Sequence, residues 1–349
     1  MSVRQLPSTM KAAVFYGPDD LRVERVPVPE AGPNDVVLHV DMCGICGTDV
    51  HILRGSFPAP NLPLIPGHEF SGHVVAVGAA VDHVKTGDYV TADINLACGH
   101  CYFCRRQQKL FCEQIRQIGV HTHGALAEFV KAPASAIYQV PDELSPQQSA
   151  YIEPLACAVH GQERAEIQPG SSVAIIGAGP MGLAHLQLAK LKGAAPVIIT
   201  EMNQVRLQKA RDMGADYAID AGAEDAVAAV KAVTDGRGAD YVIEAVGSIP
   251  TYRQAFDMVR RGGTLVAYGA APSTASLDLK PFDIYSKELT IVGSYAGTYA
   301  TWPEAIALIQ GGRFNPEDII TEIVPLDDVV GAIETVEKNK DVIKIQIRP

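Results

Sequence analysis

The chain has 349 residues, 47% of them hydrophobic and 20% charged, which is more than one hydrophobic core ordinarily organises, so two domains are expected. A net charge of −11 without any Lys/Arg cluster argues against nucleic acid and anionic membrane surfaces as partners. No stretch nears the roughly 20 apolar residues that span a bilayer, and the first ten residues lack the apolar core of a secretory signal, so a cytoplasmic location is expected, where seven cysteines serve as thiols or metal ligands rather than bridges.

In chain order, short apolar runs punctuated by Gly and Pro predict strands at Ala12–Tyr16, Asp35–Val40, His73–Val77 and Tyr89–Ala92. Two long irregular stretches interrupt them, Cys43–Pro66 and Leu96–Ile118, both rich in Cys and His. Loops of that length inside a compact domain are usually functional. After Gly170 the pattern changes. Buried-strand candidates Val173–Ile176, Val197–Thr200, Tyr241–Ala245, Thr264–Tyr268 and Leu289–Val292 alternate with helical periods to Leu191 and over Gln204–Met213, Ala223–Val233 and Thr251–Arg260. Such alternation predicts βαβ units around a parallel sheet. A helix at Trp302–Ile309 and strands at Ile319–Pro325 and Val342–Ile347 follow. The expected class is α/β, with a doubly wound nucleotide domain (156–294) inserted in a mostly β domain (1–155 and 295–349).

Three groups of residues carry chemistry. Cys98, Cys101, Cys104 and Cys112 form C-x2-C-x2-C-x7-C in one loop, a lobe over 96–113. Four thiolates so close suit a closed tetrahedral zinc site, with iron–sulfur ligation the alternative. A dispersed set comprises Cys-Gly-Ile-Cys-Gly-Thr-Asp-Val-His from Cys43 to His51, Gly67-His68-Glu69, and Glu153-Pro154-Leu155. One cysteine, His68 and a carboxylate would make an open, catalytic zinc site, and on spacing alone Cys43 serves as well as Cys46. The third group is Gly177-Ala-Gly179-Pro180-Met181-Gly182, which follows an apolar strand and opens a helix. In that context a G-x-G-x-x-G turn binds a dinucleotide pyrophosphate at the helix N-terminus. Glu201, closing the next strand, is placed to meet a ribose 2′-hydroxyl, which favours NAD, while Arg206 is placed to stack on adenine or to neutralise a phosphate. Gly247 and Gly269, at the ends of later strands, are expected on the nicotinamide side.

In this order and over nearly the whole chain, these motifs closely resemble the zinc-dependent medium-chain alcohol dehydrogenases, particularly their sorbitol/polyol and threonine dehydrogenase branch. The resemblance implies a GroES-like catalytic domain and a Rossmann domain. It selects Cys46 as the metal cysteine and leaves Cys43 as packing. It implies His68 as a ligand, Glu69 as a carboxylate that ligates or exchanges with the metal, and Glu153 as a ligand held directly or through water. Zinc lowers the pKa of an alcohol it binds, so a hydride can pass to the nicotinamide. Thr48 would reach the substrate oxygen and His51 would relay the proton outward. The implied substrate is a small polyol or other secondary alcohol, and the implied assembly a homotetramer. Polyol dehydrogenases of this kind commonly carry an arginine just before a Thr-Trp-Pro stretch; Gly293–Pro303 has none, with Tyr295 and Tyr299 as candidate partners for hydroxyls. Threonine or vicinal-diol oxidation is therefore kept as the alternative, and a zinc-independent quinone or enoyl reductase as the reading from another class. His121 and His123 are candidate substrate contacts, Cys157 a core thiol, and Met1–Thr9 an extension ahead of the family's usual Met-Lys-Ala opening at Met10.

Overall fold

The computed structural model describes residues 6–57 and 59–349. It divides into two compact units, one made of residues 1–156 with 297–349 and the other of residues 157–296. Most of the Met1–Thr9 extension lies outside the described residues. Of the remainder, Leu6 packs on the cluster of Met10, Ala12 and Phe129, and Thr9 already opens the strand Thr9–Gly17.

The discontinuous unit is built on a seven-stranded sheet. Its path runs Ile320–Pro325, Lys344–Arg348, Asp35–Gly44, Glu69–Val77, Tyr89–Ala92 and Ile137–Gln139, and Phe129–Pro133 pairs with Asp35–Gly44 beside this path. The strand Asp35–Gly44 is mostly apolar and buried apart from Asp35, His39 and Asp41, because it lies between partners inside the sheet and packs Val36, Leu38 and Val40 into a core with Phe70, Ile345 and Ile347. Its end therefore places Ile45 and Cys46 at a fixed point. The stretch from Cys43 to Pro66 is not wholly irregular: Gly47–Leu53 forms a helix. Cys46 stands at its N-cap, and the Asp49 carboxylate closes the first turn by accepting the Cys46 N–H at 2.9 Å. The Leu96–Ile118 stretch holds a turn of α-helix, Tyr102–Arg105, and a 3-10 turn, Lys109–Phe111, pinned at its base by the short pair Asn95–Leu96 and Arg116–Gln117.

The contiguous unit carries six strands in the order Tyr217–Asp220, Val197–Glu201, Val173–Ile176, Ala239–Glu244, Val259–Ala267, Thr290–Gly293, each parallel to its neighbours. Val173–Ile176 sits at its centre with all four residues buried, as a parallel strand covered on both faces requires. The strand order reverses between Val173–Ile176 and Ala239–Glu244, and ligands of such sheets bind beyond the carboxyl ends of the strands at that switch.

Candidate active site

In the discontinuous unit, the Cys46 sulfur, a His68 ring nitrogen and a Glu69 oxygen lie within 4.8 Å of one another. His68 and Glu69 are buried. They are delivered by the turn at Gly67, whose φ of +94° and close approach to the Leu126 backbone leave no space for a side chain. One carboxylate ties the two ligand segments together. Besides the Cys46 N–H, Asp49 accepts the Gly67 N–H at 3.3 Å and lies 3.6 Å from His68 Nδ1. Burial acts to lower the His68 pKa, yet Asp49 and Cys46 together hold it well above its ordinary value. A soft sulfur, an imidazole and a carboxylate form the donor set of an open zinc site, and the residues fit that ion. Lys344 pairs with Glu69.

Glu153 is buried in the first turn of the helix Ile152–Ala165; it is not among the three groups that converge. Thr48 Oγ1 lies 3.7 Å from the Cys46 sulfur. His51, on the exposed side of the same helix, meets the Ser56 hydroxyl at 3.3 Å from its Nδ1. Cys43 is a buried thiol whose pKa burial pushes well above the usual range. His121 and His123 accept the Gln117 and Ile65 N–H groups on Nδ1, each at 3.2 Å, which leaves Nε2 to carry the ring proton. Burial lowers both pKa values. Cys157 is half-buried within the helix Ile152–Ala165.

The sulfurs of Cys98, Cys101, Cys104 and Cys112 also lie within 4.8 Å of one another, and no two cysteines of the chain are bridged. Backbone N–H groups of Cys98 and Gln114 point at the Cys112 sulfur at 3.3 and 3.4 Å. The Cys104 N–H helps bring the Cys101 pKa down to about 6. Such N–H···S bonds favour thiolates, so this lobe too fits a zinc ion.

In the contiguous unit the glycine turn has the shape its sequence requires. Gly177 takes φ +95°, and a side chain on Gly182 would run into the Gly177 carbonyl. Gly179 caps the helix Pro180–Leu191, in which Pro180 and Met181 fill the first turn. The Glu201 carboxylate accepts the Ala178 N–H at 2.8 Å, Met202 N–H at 2.8 Å and Asn203 N–H at 2.9 Å, which fixes it beside the turn. The Arg206 guanidinium stands next to Gly179. Gly247 and Gly269 touch each other, and a buried residue not singled out in the sequence, Glu244, holds their loops. Glu244 accepts the Val246 and Gly247 N–H groups at 3.0 and 2.9 Å, and Tyr252 donates to the Gly269 carbonyl at 2.6 Å. Strand ends, a glycine cradle and a helix N-terminus of this kind fit a dinucleotide.

Comparison with known proteins agrees with this geometry. Residues 32–142 match the alcohol dehydrogenase GroES-like domain and residues 180–311 the zinc-binding dehydrogenase domain. The chain is 35% identical to D-arabinitol dehydrogenase 1 of Uromyces fabae, with all of both chains covered. It is 36% identical to L-threonine 3-dehydrogenase of Pyrococcus abyssi, with 91% of each covered. Among solved structures, a candidate zinc-binding dehydrogenase of Sinorhizobium meliloti bound to NADP superposes with a TM-score of 0.94 at 35% identity, covering 98% of this chain and 100% of that one.

Proposed function

From the premise that this chain belongs to the zinc-binding alcohol dehydrogenase family, and is thus an oxidoreductase, we propose that it oxidises a secondary hydroxyl of a small polyol to the ketone with NAD as hydride acceptor. The observation that carries the proposal is the convergence of Cys46, His68 and Glu69 in one unit, in a chain whose other unit holds a Glu201-anchored glycine turn. Zinc held by Cys46 and His68, with Glu69 and Glu153 as the exchanging or water-linked carboxylates, supplies Lewis-acid polarisation of the substrate oxygen.

The chain's own residues do the rest. Asp49 orients His68, as outer-shell carboxylates commonly do. The Thr48 hydroxyl, close to the Cys46 sulfur, accepts the proton of the substrate alcohol as it gives up its own, which travels on toward His51. His51 passes it to solvent, with Ser56 steadying the ring. The Cys98–Cys112 lobe holds a structural zinc and takes no part in turnover. Thiolates in that lobe need a reducing compartment, so the proposal places the protein in the cytoplasm. Glu201 repels a 2′-phosphate and bonds the ribose hydroxyls, so NAD is preferred although the Sinorhizobium structure holds NADP. A homotetramer is proposed, with the exposed edge strand Thr290–Gly293 as a contact.

The threonine relative and the absence of an arginine from Gly293–Pro303 support threonine or a vicinal diol as the second reading. NADH formation followed by absorbance with polyols, diols and L-threonine, with NAD against NADP, before and after chelation, decides. Activity on a polyol with NAD that chelation abolishes is the expected result. Activity on threonine alone selects the second reading, and activity that survives loss of all zinc points to a zinc-independent reductase.

A further inference from the structure

Lys344 opens the last strand, Lys344–Arg348, and has no part in the chemistry above. Its side chain is only 4% exposed and pairs with Glu69, itself 3% exposed. The ammonium is held on its other side by the Ile45 carbonyl, at 2.9 Å, next to Cys46. Enclosing two charges is costly, and an apolar pair of similar size is often as stable. The pair therefore asks for a reason other than stability. Its carboxylate member supplies one, because Glu69 belongs to the three groups that converge on the metal position. One carboxylate thus has two competing cations.

The backbone opposite is shaped to favour the lysine. A side chain on Gly44 would strike Glu69 Oε2, and its Cβ would sit 3.2 Å from both Glu69 Cβ and Cδ. Gly44 thus leaves the space in which the carboxylate turns toward Lys344, and the lysine supplies the charge that holds it there. We propose that Lys344 is a positioning residue that parks Glu69 off the metal and so keeps a coordination position open for the substrate oxygen. The proposal rests on the reading that the metal sits on Cys46 and His68.

The test uses the full chain with cobalt at the catalytic position and zinc kept in the lobe, read by visible absorption and by the rate of metal release to a chelator. The expected wild-type spectrum is that of four-coordinate cobalt. Lys344→Met should lower the intensity toward five-coordinate cobalt and slow metal release by about 10-fold, as the freed carboxylate joins the metal. Lys344→Arg should restore both. A Lys344→Met protein with the wild-type spectrum and release rate, or with faster release, would overturn the proposal. Should Lys344→Met not fold, the isosteric Glu69→Gln variant decides: a parked carboxylate predicts an unchanged spectrum, and a changed one means that Glu69 is a resident ligand. Failure of the underlying reading looks different, since Cys46→Ser would then leave the wild-type cobalt spectrum intact.

Discussion

One carboxylate, Asp49, bonds the Cys46 N–H, the Gly67 N–H and faces His68, so its loss should loosen both ligand segments together. Asp49→Asn is expected to weaken zinc binding by about 10- to 100-fold, the usual effect of an outer-shell substitution, measured by competition with a chromogenic chelator. At the other unit, Glu201→Ala removes both the ribose partner and the anchor of Ala178. The ratio of kcat/KM with NAD to that with NADP should fall by about 10-fold or more, since each ribose bond is worth roughly a tenfold factor. His185 gives a pH prediction. Burial lowers its pKa to about 3, whereas the unfolded chain binds the proton near the ordinary value of about 6.5. Its contribution to stability is complete above that value and declines as pH falls toward 3. Between pH 7 and 5 this one group should remove ~2 kcal/mol, and His185→Leu should flatten that part of the change in urea unfolding. At this scale the sequence is most legible where the residues that come together are near in the chain, as the four lobe cysteines are. Asp49, although inside the quoted motif, and Glu244 and Lys344 were passed over. What Asp49 and Lys344 do depends on contacts between separate segments, 18 positions apart for Asp49 and Gly67 and 299 for Lys344 and Ile45, whereas Glu244 bonds its near neighbours Val246 and Gly247.

At the scale of elements, the segment Gly119–Gly124 crosses directly over the turn that delivers His68. A side chain on Gly124 would meet the carbonyls of Pro66 and Gly67 and the Cα of Gly119. Backbone against backbone leaves little to yield, so Gly124→Ala should cost about 1–3 kcal/mol, the range for overpacking a close contact. Thermal unfolding measures the loss, and zinc content should fall with it because the His68 turn is displaced. The nucleotide sheet is readable from its strands because Val173–Ile176 and the start of Val197–Glu201 are apolar runs whose residues are buried. Its edge strand Tyr217–Asp220 escaped notice. It has one buried residue, Ile219, and is only four residues long, with the strand formers Tyr217 and Ile219 alternating with the poor ones Ala218 and Asp220. The helix Gly47–Leu53 was hidden for a different reason. It is only seven residues long, too short for an apolar period to show, and its first turn is specified by the Asp49 cap rather than by propensity.

For the whole molecule, the expected assembly depends on the edge of the nucleotide sheet, where Thr290, Ile291 and Gly293 are exposed and Phe282 and Tyr285 stand open nearby in sequence, 70% and 79% exposed. A charge on such an edge blocks strand pairing, so Ile291→Lys should shift sedimentation from a tetramer to a smaller species while each chain stays folded.

The two-part make-up of the catalytic unit has a kinetic side. Its sheet is completed by Lys344–Arg348 pairing with Gly44 and Cys43, so its contact order is high. During synthesis the contiguous nucleotide unit has all its residues in hand first and folds as a unit. The segments bearing Cys46 and His68 must wait for Lys344–Arg348, which follows the nucleotide unit in the chain and brings the ammonium that pairs with Glu69.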